Sequence, residues 1–488
     1  MNNPLIIQGG MGAGVSHWHL ANTVSRLGQL GVVSGTALDE ILARRLQDGD
    51  IGGHMRRALD HFPFKVMAEH VWEKFYIPGG RAAGQAYRRQ TMYTVEGPRE
   101  VQELLIVSNF VEVWLAREGH TNPVGINYLE KIQMPHLASM FGSMLAGVDF
   151  VLMGAGIPIR VPGVLDRLAR LEEAQYSIHV IGSREQETIM RLDPRDYIEG
   201  EISELKRPKF LAIISSNTLA QTLLKKANGK VDGFIIESPT AGGHNAPPRG
   251  KMQLNETGEP IYGERDVVDL AKMRELGSPF WLAGGAGSSS AVRQALAEGA
   301  AGVQVGTAFA FCSDSGMRED YRIELVDKAI AGTAIVFTDP LASPTGFPFK
   351  IAVLEGTGSQ PEVYAARPRI CDLGYLREAY QKEDQTIGYR CPSEPVSVFL
   401  SKSGLIEETV GRKCVCNGLM ANIGMQQIRS NGKLMEVGLI TTGDDLTEIA
   451  QFLKPGETSY SAADVIQQLL SGLDAISPSS NLTVEAVV

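Results

Sequence analysis

No run of about 18 uninterrupted apolar residues occurs in the sequence, so a transmembrane helix is not expected. The opening Met1-Asn2-Asn3-Pro4 lacks the basic and then apolar stretches of a secretory signal, and the expected location is cytoplasmic. Cysteine is scarce. Five in 488 residues, an odd number, make no disulfide framework and suit a reducing compartment. Four of them, Cys371, Cys391, Cys414 and Cys416, fall late in the chain without the C-x₂₋₄-C spacing of a zinc site, so no metal is expected. Positive charge is in deficit: Lys+Arg 46 against Asp+Glu 56 gives a formal net charge of −10. That balance argues against a nucleic-acid or anionic-membrane partner. Repeats and low-complexity tracts are also lacking.

What is present is an ordinary globular composition, 43% hydrophobic and 21% charged. Short, nearly continuous apolar runs recur at Leu5–Gln8, Gly31–Ser34, Val124–Asn127, Val148–Met153, Phe210–Ser215, Gly233–Glu237, Phe280–Ala283 and Gly302–Gly306. Such runs fit parallel strands covered on both faces. Helical patterns follow several of them, at His19–Leu27, Pro162–Ala174, Thr218–Ala227 and Ser290–Glu298. The rhythm predicts an α/β fold, a TIM (β/α)₈ barrel with insertions and a C-terminal extension forming a substrate-side lid. An open doubly wound sheet is the alternative, because periodicity does not report closure. The expected domains are a barrel over residues 1–355, with an insertion at 36–121, and a helical or irregular extension over 356–488. A further strand-like run, Ser177–Ile181, is either part of a second insertion or a barrel strand. A late amphipathic helix is expected at Ala462–Leu470.

Glycine is abundant, at 53 residues, and clustered. Ala283-Gly284-Gly285-Ala286-Gly287-Ser288-Ser289 follows the seventh strand and opens a helix, and Val305-Gly306-Thr307 ends the eighth. Paired loops of this kind form phosphate sites in barrels. Backbone N–H groups face the anion, and no Cβ blocks its approach. Thr307 adds a hydroxyl. The alternative is that both turns are glycine-rich only for close packing. Gly9-Gly10-Met11-Gly12-Ala13-Gly14 follows the first strand with the wrong spacing for a dinucleotide fingerprint. A loop this bare suits a flat ring; otherwise it is a flexible turn. Gly242-Gly243-His244 lies beyond the sixth strand, where barrels carry catalytic groups, and His244 is the candidate among the 9 histidines. Asn127 ends a buried strand, where its amide offers a donor and an acceptor to a heteroaromatic edge, unless it is simply satisfied there.

Assembled, these residues resemble the FMN barrel superfamily of nitronate monooxygenases and flavin-type enoyl-acyl-carrier-protein reductases. Further segments extend the likeness: Asn109-Phe110-Val111-Glu112-Val113, Gly125 to Ile132, Met153 to Pro158, Thr240 to Gly250, and Cys414-Val415-Cys416-Asn417-Gly418-Leu419. They are similar to the trans-acting enoyl reductases of polyunsaturated fatty acid and polyketide synthases. The resemblance implies FMN held by Gly10, Met11, Gly12, Asn127, Gly242, Gly243, Gly284, Gly285, Gly287, Gly306 and Thr307. It implies NAD(P)H as transient reductant and an acyl carrier protein as the partner bearing an enoyl substrate, with a homodimer left open. His244 is then the catalytic donor or proton carrier. Oxidation of alkyl nitronates with FMN and O₂ is the alternative activity. Arg81, Arg88-Arg89 and Arg412-Lys413 are candidate contacts for an acidic carrier, although solvated surface charge explains each as well.

Overall fold

The computed structural model describes residues 3–183, 187–429 and 434–473. Eight parallel strands form one sheet: β1 (Ile6–Gln8), β2 (Gly31–Ser34), β3 (Val124–Leu129), β4 (Phe150–Gly154), β5 (Lys209–Ile214), β6 (Gly233–Glu237), β7 (Phe280–Ala283) and β8 (Gly302–Val305). Their spatial order is β1-β8-β7-β6-β5-β4-β3-β2. The two ends of that series meet. Gln8 donates to the carbonyl of Leu30 at 2.9 Å, and Leu30 donates to that of Ile6 at 3.0 Å, so the sheet closes into a barrel. The open-sheet alternative is thereby excluded.

Closure explains the continuous apolar runs. One set of side chains, including Ile7, Val32, Phe150, Leu152, Leu211, Ile235 and Trp281, fills the barrel interior. Neighbouring residues such as Val33, Ile126, Val151, Phe210 and Phe234 face the surrounding helices. Both faces of each strand are therefore dry, and alternation is lost from the sequence. Trp281 fills the bottom of the barrel, where its indole N–H donates to the Pro4 carbonyl at 2.7 Å.

Between β2 and β3 lie the helices Leu38–Gln47, His54–Leu59, Lys65–Phe75 and Arg99–Arg117. Between β4 and β5, Ala174–Ile178 and Thr188–Leu192 form an antiparallel ribbon. The run at Ser177–Ile181 thus belongs to an insertion and not to the barrel. Val180–Ile181 pairs with Glu378–Gln381, which ties this insertion to the late part of the chain. Beyond β8 the structure holds more β than the sequence suggests. Phe349–Ala352 pairs with Val336–Asp339 on one side and with Gly243–His244 on the other. Glu378–Gln381 also pairs with Ile387–Arg390. The helix Ala462–Leu470 forms as expected, with Ser461 and Asp464 in a capping box. It packs beside the barrel, against the helices Trp18–Arg26 and Ser289–Ala297, and also touches the segment Asp444–Phe452. Among the described residues, no helix is long and apolar enough to cross a membrane.

Candidate active site

The carboxyl ends of the eight strands open into one cavity of about 1300 Å³, part of it continuous with solvent. Gly10, Met11, Gly12, Asn127, Gly242, Gly243, His244, Gly284, Gly306 and Thr307 all line it. Gly285 and Gly287 do not. Asp445, contributed from far along the chain, lines it in their place. The late segments also supply Tyr375, Leu376, Val415, Cys416 and Leu419, so the extension walls and roofs the mouth. The Cys414 to Leu419 motif accordingly makes cavity wall, and all five cysteines are free thiols.

The glycines earn their positions in different ways. Gly10 is in ordinary backbone geometry, but a Cβ there would come within 2.7 Å of the Asn127 Cβ. Its bareness lets the first loop lie flat against that amide. Gly284 has φ +84, and a Cβ on it would meet the Ser238 hydroxyl at 2.4 Å. Turn geometry and close approach both demand glycine there.

Two buried amide oxygens, Asn127 Oδ1 and Gln304 Oε1, lack a hydrogen-bond partner, and both residues line the cavity. Unpaired buried acceptors are costly and call for a donor from a ligand. Gln304 was not singled out from sequence. It sits inside the eighth strand, where an amide in an apolar run was the signal. The two amides and the bare first loop fit a planar heteroaromatic ring with N–H edges, as in a flavin.

His244 follows the positive-φ Gly243 and is held by its short strand pairing with Phe349. Its Nε2 lies 2.7 Å from the Ser343 hydroxyl, which in turn lies 2.8 Å from that of Thr345. The Phe349 ring packs 4.8 Å away, centre to centre. Burial pushes the imidazole down to about 4, so the ring is neutral at pH 7. A neutral ring donates or accepts a hydrogen bond but carries no ready proton.

Glu237, at the end of β6, lines the same cavity. Burial alone pushes its carboxyl up to about 8. At neutral pH it is mainly protonated, a usable acid in the same cavity as a neutral histidine. Sequence reasoning passed over it. A strand-end glutamate reads as solvated until its surroundings are known.

With this geometry in view, the chain's relatives can be placed. The nitronate monooxygenase family model matches residues 184–340. A nitronate monooxygenase of Pseudomonas aeruginosa is 27% identical over 256 residues, 51% of this chain and 64% of that protein. A probable nitronate monooxygenase of Bacillus subtilis is 30% identical over 137 residues, 28% of this chain and 38% of that protein. The chain thus spans less than two thirds of either relative. Among solved structures, FabK from Thermotoga maritima aligns at TM-score 0.45 and 14% identity, covering 96% of this chain and 91% of its own. Over residues 184–340, which include the strands β5 to β8, the chain is similar to nitronate monooxygenases.

Proposed function

We propose that the chain is an FMN-dependent oxidoreductase that uses NAD(P)H to reduce α,β-unsaturated thioesters presented in trans by an acyl carrier protein. The observation that carries this reading is that Glu237 and His244 line one cavity, where burial raises the carboxyl to about 8 and lowers the imidazole to about 4. Reduction of a conjugated thioester ends with a proton delivered to the α-carbon and needs an acid. Oxidation of a nitronate starts from an anion and needs none.

When bound, FMN would supply hydride transfer from NAD(P)H to the β-carbon. The residues of the chain divide the remaining work. Asn127 and Gln304, whose amide oxygens lack partners, would hold the ring by hydrogen bonds, and the bare Gly10 and Gly12 would let backbone approach it. His244 donates a hydrogen bond toward the thioester carbonyl as charge develops there. Its Ser343 partner fixes the ring. Glu237 holds the proton. Leu129, Ile132, Leu376, Val415 and Leu419 give the mouth apolar walls that suit an acyl arm and exclude water.

An acidic carrier needs basic contacts. Arg81 is paired with Asp48, and Lys413 lies 3.4 Å from Asp339. Arg412 is held by the Leu341 and Ser343 carbonyls. Arg88 donates to the Lys74 carbonyl at 3.1 Å but is exposed, as is Arg89, and these two are the contacts carried forward in this proposal.

The test is turnover. NADPH consumption that requires a crotonyl carrier thioester, by a protein whose released flavin is FMN by mass spectrometry, supports the reading. Nitronate-dependent O₂ uptake without NADPH supports the second reading, a nitronate monooxygenase. The sequence match over residues 184–340 favours that alternative.

A further inference from the structure

Two groups that the sequence offers to a phosphate are both touched by residues 443–445 in the structure. The Thr307 hydroxyl oxygen accepts from the Gly443 backbone N–H at 2.9 Å. The Asp445 carboxylate lies against Gly287, where an added Cβ would come within 2.9 Å of its Oδ2. Gly287 immediately precedes Ser288, the N-cap of the helix Ser289–Ala297. A negative group at that point is favoured by the helix dipole and its free N–H groups. Asp445 therefore stands where the flavin phosphate is expected.

Residues 441–445 cross the mouth as a strap anchored at both glycine loops. Asp444 donates from its backbone to the Thr240 carbonyl at 3.0 Å. The Asp444 carboxylate is paired with Lys350 at 2.6 Å. A Cβ on Gly242 would come within 2.5 Å of the Thr442 carbonyl carbon, so only glycine admits the strap. We propose that this strap is a latch over the phosphate cup, with the Asp445 carboxylate occupying the anion position until the cofactor phosphate displaces it.

Charge supports the assignment. Burial, helped by the nearby Glu448 and Asp444 and opposed by the Gly287 backbone hydrogen bond and Lys350, brings Asp445 up to about 6. At neutral pH the group is still mainly ionised. A carboxylate and a phosphate dianion do not share one cup without strong repulsion. Loading FMN thus requires the strap to lift or Asp445 to turn away. Lifting also opens the roof that the late chain forms.

This inference rests on the flavin reading of the cavity, and the experiment separates the two. Flavin is removed from the purified full chain, and FMN and riboflavin are titrated by fluorescence quenching into wild type, Asp445→Asn and Asp445→Ala. Riboflavin has the same ring but no phosphate. If the latch exists, both variants bind FMN at least about tenfold more tightly, while riboflavin affinity is unchanged. FMN affinity that is unchanged or weaker in both variants overturns the latch and leaves the flavin site standing. Failure of both flavins to bind any of the three proteins overturns the flavin site and the latch together. Thermal melting of the three proteins without flavin checks that any change is not loss of fold.

Discussion

At the scale of single residues, the cavity separates two carboxyl and imidazole roles that the sequence merges. His244 stands out from sequence because two glycines precede it at the end of a strand. Glu237 does not, since what distinguishes it is desolvation. Replacing His244 with Ala should leave FMN bound, because the ring faces Ser343 and Phe349 and not the phosphate loops. Loss of one preorganised donor should lower turnover by about 10²–10³. Stopped-flow reduction of the flavin by NADPH should stay fast while reoxidation by the enoyl thioester slows. For Glu237, kcat of the wild type should fall as pH rises through about 8, where the carboxyl loses its proton. Glu237→Gln should lower kcat and abolish that alkaline limb. An unchanged pH profile in the variant would remove Glu237 from proton delivery.

At the scale of elements, all eight barrel strands are legible in the sequence as dense apolar runs, to within a residue or two at their ends. The pairing of Gly243–His244 with Phe349–Ala352 is not legible, because a strand of two residues has no period. The roof is likewise hidden, since its cavity residues come from turns and short helices far apart in the chain. The phosphate loop is legible in part. Gly285 was expected to be bare for an anion; the structure adds that its φ is +69, with nothing nearer to an added Cβ than the Thr240 hydroxyl at 3.5 Å. Backbone geometry excludes a β-branched residue there more strongly than crowding does. Gly285→Val should therefore distort the loop and abolish FMN binding while far-UV circular dichroism stays native. Stoichiometric FMN in that variant would place the phosphate elsewhere. The extension has an anchor of its own. Buried Glu436 accepts from both Arg367 and Arg429, and Arg429 also reaches buried Asp372. Glu436→Ala leaves guanidinium groups buried without their shared partner and should cost about 3–5 kcal/mol. Urea denaturation measures that loss directly.

Across the whole molecule, buried titratable groups oppose one another, and the balance sets the pH range of stability. Burial holds His136 and His244 down to about 4, and drives His17 well below the usual histidine range. The unfolded chain binds protons at these sites below about 6.5, and the folded chain refuses them until near pH 4. Stability therefore falls as pH falls through that window. Glu237 and Asp445, pushed up to about 8 and about 6 by burial, act in the other direction. The folded state holds their protons more tightly than the unfolded state, so their contribution is greatest at low pH and is lost as pH rises through those values. Because the windows overlap, a single stability curve does not isolate either set, and a difference between variants does. His136 is the cleanest choice. It packs edge-to-face against Tyr176, with ring centres 5.1 Å apart, and its Nε2 is 2.9 Å from the Leu129 carbonyl. His136→Gln keeps a donor for that carbonyl and removes the titration. The gap between wild type and variant should shift by about 3 kcal/mol in the variant's favour between pH 6.5 and pH 4. Chemical denaturation at four or five pH values reads this shift. A gap constant across that range would mean that His136 is protonated in the folded state, and that the interior around Leu129 and Tyr176 admits water.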